Sequence, residues 1–490
     1  MTLEQELNRK FGYTSFRKGQ KEVVESVLSG QDTLAMLPTG TGKSLCFQLP
    51  GYLLDGAVII ISPLLSLMQD QVDQMKVKGE KKVIAINSFL PFPEKKRAME
   101  RLHLYKFIFI SPEMLSNPDI NSAIRRLNVS LFVIDEAHCI SQWGPDFRPQ
   151  YLKLGEVRKS LGNPTTLALT ATATYEVREE IKKVLHMEGA EEFIHSVDRK
   201  NIALVVEKVE HHDDKINKLI QCVSSLKGAG VIYFTSRRLA EEVAAILRDK
   251  GIDGVTHYHG GMEQEERILI QQQFLSNQLR IICATSAFGM GVNKENVRFV
   301  IHFHFSSSIE SYLQEIGRAG RDGKNSTAIV LFTEHDLSLP VQLIEGELPF
   351  DNQIQGFVAS HENKSEEELM SLLQLSEIQY RFLKHYVEEG KGTDRARLIW
   401  QIKKIRDERI QYKKEKLLYM VNWLHGSGCR RESILDYFHE TLNERPECCC
   451  DRCGFTLTEL ASSFEEEETG ANAEKDWKKR LEKLLMGSVI

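Results

Sequence analysis

Long hydrophobic runs are missing from this 490-residue sequence: no stretch of about 18 apolar residues occurs, so we expect no membrane span. The N-terminus, which begins Met1-Thr2-Leu3, also lacks the basic-then-apolar pattern of a secretion signal. A surplus of one charge is missing too, because 63 basic and 69 acidic residues leave a formal net charge of -6. That total does not favour a nucleic-acid-binding protein, yet a local basic surface would suffice for one. The length predicts two to four domains.

Cysteine is sparse along most of the chain and concentrated near one end. Four of the nine cysteines lie scattered in apolar segments, where we expect reduced core residues: Cys46, Cys139, Cys222 and Cys283. The other five lie between residues 429 and 453, and such a cluster in an intracellular chain indicates a metal rather than disulfides. Cys450-x-x-Cys453 has the spacing of a zinc knuckle, with Cys429 as the first ligand and either Cys448 or Cys449 as the remaining one. Four thiolates would close a structural Zn²⁺ site with no open position for catalysis.

Residues 37–44 predict a phosphate-binding loop between a buried strand and a helix. Its glycines would let backbone N–H groups curl around phosphate oxygens, and the helix N-terminus adds partial positive charge. Lys43 would reach the β- and γ-phosphates of ATP, and the Ser44 hydroxyl would hold Mg²⁺. The simpler alternative is a glycine-rich turn before an ordinary helix. The predicted nucleotide-binding residues of this loop are Thr39, Gly40, Thr41, Gly42, Lys43 and Ser44.

The first segment, residues 1 to about 200, alternates apolar strands with amphipathic stretches. This rhythm indicates an α/β fold with a parallel sheet covered on both faces. Ligands of such a sheet bind beyond the carboxyl ends of the strands, which is where the polar motifs of this segment lie. The predicted strands span residues 32–37, 57–61, 83–86, 107–110, 130–134 and 166–169.

Two carboxylates, Asp135 and Glu136, follow the apolar run that ends at Ile134. Such a pair at a strand end suits hydrolysis of a Mg²⁺–nucleotide. Asp135 would hold the metal through water, and Glu136 would orient or deprotonate the attacking water. The alternative is an acidic cap between a strand and a helix.

The segment before the phosphate loop offers groups for an adenine base. Gln20 carries both a donor and an acceptor, Tyr13 could stack on the base, and Arg17 could help to hold it. The alternative is a helix-capping segment with polar surface groups.

Single-stranded nucleic acid is the predicted ligand of an aromatic loop after the carboxylates. Trp143, Phe147 and Arg148 lie among glycine and proline residues that break a helix, which favours a stacking platform for bases over local packing. Ser62 and Ser111 each follow a predicted strand and would present hydroxyls to backbone phosphates. Helix capping is an equally simple alternative for these two serines.

The second segment, about 201 to 338, repeats the strand–helix rhythm without a second phosphate loop. Arg318 and Arg321 lie three residues apart, so they would share one face of a helix and suit the charge that develops on a γ-phosphate. A salt-bridged surface is the usual alternative for such a pair. The predicted strands span residues 230–234, 254–258, 279–284, 297–302 and 327–332.

These motifs resemble those of superfamily-2 helicases, and the strings at residues 135–144 and 314–323 resemble the RecQ DNA helicases specifically. The resemblance covers roughly residues 5–453. It implies two RecA-like lobes with ATP between them, the phosphate loop and carboxylates in lobe 1 and the arginines in lobe 2. It also implies movement 3′ to 5′ along single-stranded DNA in recombination and repair. In lobe 2 we predict DNA contacts from Ser236, Arg237 and Thr285.

Three positions depart from the RecQ pattern: Lys18 replaces the usual Pro, Pro145 the usual His and Asn293 the usual Asp. Pro145 would alter coupling through the aromatic loop. Asn293 still accepts a hydrogen bond but carries no charge, so communication between the lobes would be looser.

The third segment, 339–454, predicts a helical hairpin and a RecQ-type zinc-binding subdomain. Its basic run, from Arg395 to Lys416, either is solvated or faces DNA. Residues 455–490 predict an acidic linker and a short C-terminal helix, with no room for the winged-helix and HRDC domains of longer RecQ proteins. The alternative to a helicase is therefore a DNA-stimulated ATPase that translocates, anneals or remodels DNA with weak unwinding. An inactive scaffold and an RNA helicase are further alternatives.

The resemblance also implies ligands, partners and location. We expect single-stranded and forked DNA as ligands, and single-strand-binding, recombination or replication proteins as partners. We expect a monomer that lies in the cytoplasm in association with the nucleoid.

Overall fold

The computed structural model describes residues 2–63, 65–87, 92–115, 117–141, 149–289 and 294–456. Within these ranges the chain forms two parallel-sheet lobes followed by a helical segment. Among the helices described, none combines the length and apolar composition needed to cross a bilayer.

Lobe 1 contains strands β1 (Thr33–Met36), β2 (Ala57–Ile61), β3 (Val83–Ile86), β4 (Phe107–Ile110), β5 (Val129–Ile134), β6 (Thr166–Thr170) and β7 (Glu191–Ile194). Its helices are α1 (Leu3–Phe11), α2 (Gln20–Leu28), α3 (Leu45–Leu53), α4 (Leu65–Val77), α5 (Phe92–Glu100), α6 (Pro112–Leu115), α7 (Pro118–Ile124), α8 (Leu154–Ser160) and α9 (Tyr175–Leu185). The strands pair in parallel in the order β3-β4-β2-β5-β6-β1-β7. Alternate residues of each inner strand enter separate buried clusters, so both faces of the sheet are covered.

Lobe 2 contains strands β8 (Ile202–Lys208), β9 (Ala229–Tyr233), β10 (Val255–Tyr258), β11 (Ile281–Ala284), β12 (Val297–His302) and β13 (Ser326–Phe332). Its helices are α10 (His212–Ser225), α11 (Arg237–Asp249), α12 (Gln264–Leu275) and α13 (Ile309–Ile316). All pairings are parallel, in the order β10-β11-β9-β12-β13-β8. Helix α13 begins where Ser308 Oγ accepts a hydrogen bond from Ser311 N at 3.2 Å, and its end leads into the turn that carries the paired arginines.

Most strands occur where the sequence predicts them, with ends shifted by at most two residues, and the predicted α/β fold class is confirmed. The strands that the sequence analysis missed are β7 and β8, one at an edge of each sheet. The β7 strand is polar and mostly exposed, so it lacks the apolar signal of a buried strand. β8 follows it without an intervening helix, which interrupts the rhythm used for prediction.

The helical segment contains α14 (Ser338–Glu347), α15 (Asp351–Ser360), α16 (Glu366–Leu373), α17 (Glu377–Glu389), α18 (Arg395–His425) and α19 (Arg430–Tyr437). Several bases of α18 pair with acids of α14 and α15: Lys403 and Arg406 with Asp351, Lys413 with Glu347, and Lys414 with Glu345. Because these acids neutralise the bases, the structure favours an ion-paired surface for this run over a surface that faces DNA.

A buried apolar cluster runs through all three parts of the chain. It includes Ile134 in lobe 1, Tyr312 in lobe 2, Trp423 in α18 and Ile434 in α19. The segment that carries the cysteines is therefore packed into the core of the two lobes.

Candidate active site and zinc centre

The phosphate loop lies between β1 and α3, at the carboxyl edge of the lobe 1 sheet. Gly40 and Gly42 have φ values of 85° and 80°, a left-handed conformation that glycine adopts without steric cost. Thr41 closes the turn, because its N and Oγ1 donate to Pro38 O at 3.3 and 2.7 Å. Lys43 follows, and Ser44 occupies the N-cap of α3. All the nucleotide residues predicted at 39–44 thus share one tight turn at a helix N-terminus, the geometry that favours a bound anion.

Arg17 and Gln20 reach this loop from the segment that leads into α2. Arg17 Nη1 donates to Gly40 O at 2.6 Å, and Gln20 Nε2 donates to Thr41 O at 2.8 Å. Gln20 Oε1 accepts from Arg17 N at 2.8 Å, so both ends of the amide are engaged within the protein. Tyr13 is half exposed. Gln20 Nε2 also donates to Gly42 O at 3.1 Å, so both amide hydrogens are used and donation to a base would require this group to exchange partners.

Asp135 and Glu136 directly follow β5. Burial, together with the charge of Glu136, raises the pKa of Asp135 to about 7, while the charge of Lys43 opposes the rise. Glu136 has a φ of 49°, which is uncommon for a residue other than glycine. His138 Nδ1 lies 3.5 Å from Glu136 Oε2 and 3.0 Å from Thr170 Oγ1, so the imidazole links this carboxylate to the end of β6.

The two predicted arginines have different surroundings. Arg318 is 7% exposed, its Nε donates to Tyr233 Oη at 2.6 Å, and its guanidinium lies against Gly289. Arg321 instead packs against Gly40 of the phosphate loop in lobe 1. The contact is so close that a Cβ at Gly40 would lie only 2.9 Å from Arg321 Cγ. Burial and the charge of Arg318 lower the pKa of Arg321 to about 10. Arg318 is thus fixed inside lobe 2, whereas Arg321 reaches the phosphate loop.

A third arginine, Arg199, also joins the lobes and was missed by the sequence analysis. Its Nη1 donates to Thr39 O at 3.0 Å and to Gly317 O at 3.3 Å. Its Nη2 donates to Ala319 O at 3.0 Å and to Gly320 O at 2.7 Å. Thr39 Oγ1 donates directly to Gly317 O at 3.0 Å. No motif marks Arg199, because its partners are backbone carbonyls that only the fold brings together.

Ser236, Arg237 and Thr285 lie at the carboxyl edge of the lobe 2 sheet. Ser236 Oγ accepts from Leu239 N at 3.3 Å and caps α11, while Arg237 is exposed at the first position of that helix. A Cβ on Gly261 would lie 3.0 Å from Arg237 Nη1, so the guanidinium crosses this glycine. Thr285 follows β11 and is partly exposed. An exposed cation beside a helix N-terminus suits backbone phosphates.

Ser62 and Ser111 lie at the matching edge of lobe 1 but are only 1% and 2% exposed. Ser62 Oγ has no hydrogen-bond partner among the described residues. Their contact with DNA stays a prediction that this buried setting does not favour, because each hydroxyl would first have to become accessible. Several residues singled out from the sequence lie outside the described ranges: Trp143, Pro145, Phe147, Arg148 and Asn293.

Four thiols converge where α19 begins and residues 449–453 return to it. The Sγ atoms of Cys429, Cys449, Cys450 and Cys453 all lie within 4.8 Å of one another. The separations are 3.7 Å for Cys429–Cys449, 3.9 Å for Cys429–Cys450 and 3.5 Å for Cys450–Cys453. Zinc–sulfur bonds of about 2.3 Å in a tetrahedron place the sulfurs about 3.8 Å apart, so these thiols fit Zn²⁺. Cys448 lies outside this group and packs against the core of lobe 2.

The start of α19 also favours a thiolate. Burial opposes ionisation of Cys429, yet hydrogen bonds from the backbone N–H of Glu432, the thiols of Cys453 and Cys449, and the backbone N–H of Arg431 hold the pKa of this thiol below its usual value. Burial raises the pKa of Cys449 to about 11, so a bound cation is needed to keep that sulfur ionised at neutral pH.

A second group of potential ligands, Glu241, His257 and His259, is better explained by hydrogen bonds than by a metal. His259 Nε2 lies 2.7 Å from Glu241 Oε1, and His259 Nδ1 accepts from Gly261 N at 3.2 Å. Since Nδ1 accepts, the ring proton lies on Nε2 and points at the carboxylate, which leaves no lone pair there for a metal.

Comparison with known proteins first defines the class. Residues 17–181 match the DEAD/DEAH box helicase family, residues 214–323 the helicase conserved C-terminal domain and residues 392–454 the RecQ zinc-binding domain. The fold resembles the Mycobacterium smegmatis helicase Lhr, solved with ssDNA and AMP-PNP, at a TM-score of 0.56 and 21% identity over 76% of this chain and 55% of that one. The chain therefore has the fold of a two-lobed RecA-like helicase.

Closer relatives then define the family. The chain is 46% identical to the probable ATP-dependent DNA helicase RecS of Bacillus subtilis over 464 residues, which are 93% of this chain and 92% of that relative. It is 42% identical to the ATP-dependent DNA helicase RecQ of Haemophilus influenzae over 67% of this chain, and it spans 53% of that protein. The chain belongs to the RecQ-type family of ATP-dependent DNA helicases, which confirms the resemblance found in the sequence.

Proposed function

We propose that this protein is an ATP-dependent DNA helicase that hydrolyses ATP between its lobes and moves 3′ to 5′ along single-stranded DNA. The observation that carries the proposal is the packing of Arg321, from lobe 2, on Gly40 of the phosphate loop in lobe 1. A guanidinium supplied by the second lobe makes hydrolysis depend on how the lobes meet. Each cycle of hydrolysis can therefore be coupled to a relative movement of the lobes.

In this proposal each charged group has one task. Lys43 binds the β- and γ-phosphates, and Ser44 and Asp135 would hold Mg²⁺, which neutralises phosphate charge when bound. Glu136 orients the attacking water, supported by His138. Arg321 stabilises the charge on the γ-phosphate, and Arg318 fixes the turn that carries Arg321 through its bond to Tyr233.

The nucleic acid would cross the carboxyl edges of both sheets. Ser236, Arg237 and Thr285 would contact backbone phosphates from lobe 2, where Arg237 is exposed. Trp143 and Phe147, which lie outside the described residues, would stack on bases. The thiol cluster would bind zinc as a structural ion, because four sulfurs leave no open coordination position.

ATP turnover measured without polymer, with single-stranded DNA, with forked DNA and with RNA tests the proposal. We expect strong stimulation by both DNA forms and little by RNA. Stimulation by RNA alone, or equal turnover in all four conditions, would contradict it.

Direction is tested separately with duplexes that carry one single-stranded tail. A 3′ to 5′ motor unwinds the duplex with a 3′ tail and leaves the duplex with a 5′ tail paired. Unwinding from the 5′ tail alone would reverse the proposed direction.

We further propose, from the family, that the protein acts as a monomer in DNA recombination and repair, in the cytoplasm at the nucleoid, with single-strand-binding or replication proteins as partners. A strain without the gene should be sensitive to DNA-damaging agents, and sedimentation of the purified chain should give the mass of one copy.

A further inference from the structure

Arg431 extends from the first turn of α19 to the connection between the lobes, residues 195–201, which joins β7 of lobe 1 to β8 of lobe 2. Its side chain is 3% exposed and forms an ion pair with Asp198. Its Nη1 donates to Arg199 O at 3.1 Å, and its Nη2 donates to Ile202 O at 2.6 Å and to Cys449 O at 3.4 Å. Because a guanidinium holds its donors in one rigid plane, Arg431 fixes the backbone at the thiol cluster relative to this connection.

The connection in turn holds the turn that follows α13. The Arg199 side chain bridges the phosphate loop and this turn through the four carbonyl bonds described above. Asn201 Nδ2 donates to Gly320 O at 2.9 Å and to Lys324 O at 2.8 Å. The backbone on both sides of Arg321 is therefore bonded to the connection that Arg431 anchors.

Arg430 provides a contrast one residue away. It is 1% exposed and lies in the same helical turn, but its bonds stay local. Its Nε and Nη2 pair with Asp451 at 3.1 and 3.2 Å, and its Nη1 donates to Leu424 O at 3.1 Å. Of these two buried arginines, only Arg431 has bonds to the connection between the lobes among the described residues.

We propose that Arg431 and Arg199 are positioning residues that together set the place of Arg321 on the phosphate loop, so that the zinc subdomain controls the rate of ATP hydrolysis. This inference rests on the proposed function, because it assigns Arg321 to the γ-phosphate. Arg431 lies outside the phosphate loop and bonds to the connection, so it acts on hydrolysis through Arg199 and the turn.

Steady-state ATP turnover at saturating single-stranded DNA gives the first test. In Arg431→Lys and in Arg199→Lys we expect kcat to fall about tenfold with KM for ATP changed by less than about threefold, as for a loss confined to the transition state. Matched controls are Arg430→Lys and Arg280→Lys. Arg280 donates to carbonyls within lobe 2, such as Val223 O at 2.8 Å. Both controls should keep kcat within about twofold.

The double variant Arg431→Lys/Arg199→Lys tests whether the two residues act as one unit. If they do, kcat of the double variant equals that of the less active single variant. The first substitution already disrupts the placement of Arg321, so the second has nothing further to remove. If the losses of kcat in the two single variants instead multiplied in the double variant, the two residues would act independently and the inference would be wrong. A raised KM with unchanged kcat in Arg199→Lys would also overturn it, since Arg199 would then be a nucleotide-binding group.

Hydrogen exchange gives a readout that does not depend on activity. Amides of residues 317–324 should exchange faster in Arg431→Lys and Arg199→Lys than in the unmodified chain or either control, with zinc content unchanged. Unchanged exchange at residues 317–324 in Arg431→Lys would overturn the inference. It would also be overturned if this variant lost zinc and its turnover fell only in proportion to its zinc content. If the unmodified protein did not hydrolyse ATP but the two variants still exchanged faster at residues 317–324, the result would count against the proposed function and not against the positioning role.

Discussion

The two lobes are built alike but place different charged groups where they face each other. Both are parallel sheets with polar groups beyond the strand ends. Lobe 1 holds a carboxylate there, and burial raises the pKa of Asp135 to about 7. Lobe 2 holds a guanidinium, and burial lowers the pKa of Arg321 to about 10. One physical cause, removal from water, moves each group toward its neutral form.

This difference shows that the lobe edges are complementary rather than redundant. A metal cation suits the carboxylates of lobe 1, and a phosphate suits the guanidinium of lobe 2. In the proposed site, lobe 1 meets both charges of a metal–nucleotide, with Asp135 for the metal and Lys43 for the phosphates, and lobe 2 adds a second cation, Arg321, at the γ-phosphate. The shared fold supplies the scaffold twice, and the chemistry depends on the few side chains at each edge.

Removal of Lys43 should have the largest effect, because it takes the cation from the phosphate loop of lobe 1. We expect Lys43→Ala to lower DNA-stimulated turnover about a thousandfold, the upper range for the loss of one charge-stabilising group. Lys250→Ala, at an exposed position after α11, is the matched control and should leave turnover intact. Normal turnover in Lys43→Ala, with an unchanged unfolding temperature, would remove the proposed site from lobe 1.

Lobe 2 should respond next, and unequally at its two arginines. Arg321→Ala should lower kcat about a hundredfold with little change in KM for ATP, because its charge acts in the transition state. Tyr233→Phe deletes only the hydroxyl that bonds Arg318 and should lower kcat about threefold, in line with one net hydrogen bond. If Tyr233→Phe proved as damaging as Arg321→Ala, the division of roles between Arg318 and Arg321 would be wrong.

The zinc subdomain differs from both lobes in its cluster of four thiols, and adjacent cysteines can test whether this cluster holds zinc. Cys449→Ser should lower zinc affinity by more than the roughly 10- to 100-fold that changes to outer-shell partners cost, and should lower the unfolding temperature. Cys448→Ser should retain one zinc ion per chain, because this thiol packs on the core of lobe 2. If Cys448→Ser lost zinc and Cys449→Ser kept it, Cys448 would be the zinc ligand and Cys449 would not.

Sequence patterns predict those parts of this molecule that depend on local signals. Apolar runs locate the inner strands, and the spacing at residues 39–44 predicts the phosphate loop. The sequence does not decide between Cys448 and Cys449. Which of two adjacent side chains faces the other thiols depends on the backbone conformation, and only the structure gives that. Arg199 and Arg431 escaped notice for a related reason. Their partners are mainly backbone carbonyls from distant segments. Every residue has a carbonyl, so no residue type in the sequence indicates which one an arginine will bond.

A measurement of stability, rather than of turnover, sharpens the contrast between the charged groups of the two lobes. Because the pKa of Asp135 rises from its ordinary 3.8 to about 7, the folded protein binds a proton that the unfolded chain has lost between these values. Stability therefore falls as pH rises from about 4 to about 7 and is constant above that range for this group. In buffer without Mg²⁺, Asp135→Asn should be more stable than the unmodified chain.

The advantage of Asp135→Asn should be about 2 kcal/mol smaller at pH 5.5 than at pH 8, measured by denaturant unfolding of both chains. Asp253→Asn, at an exposed position, should give a difference that does not vary with pH. Added Mg²⁺–nucleotide should favour the unmodified chain, because a bound cation compensates the buried carboxylate. An Asp135→Asn variant that is less stable at every pH would show that Asp135 strengthens the fold, and that lobe 1 does not hold its charge at a cost to stability.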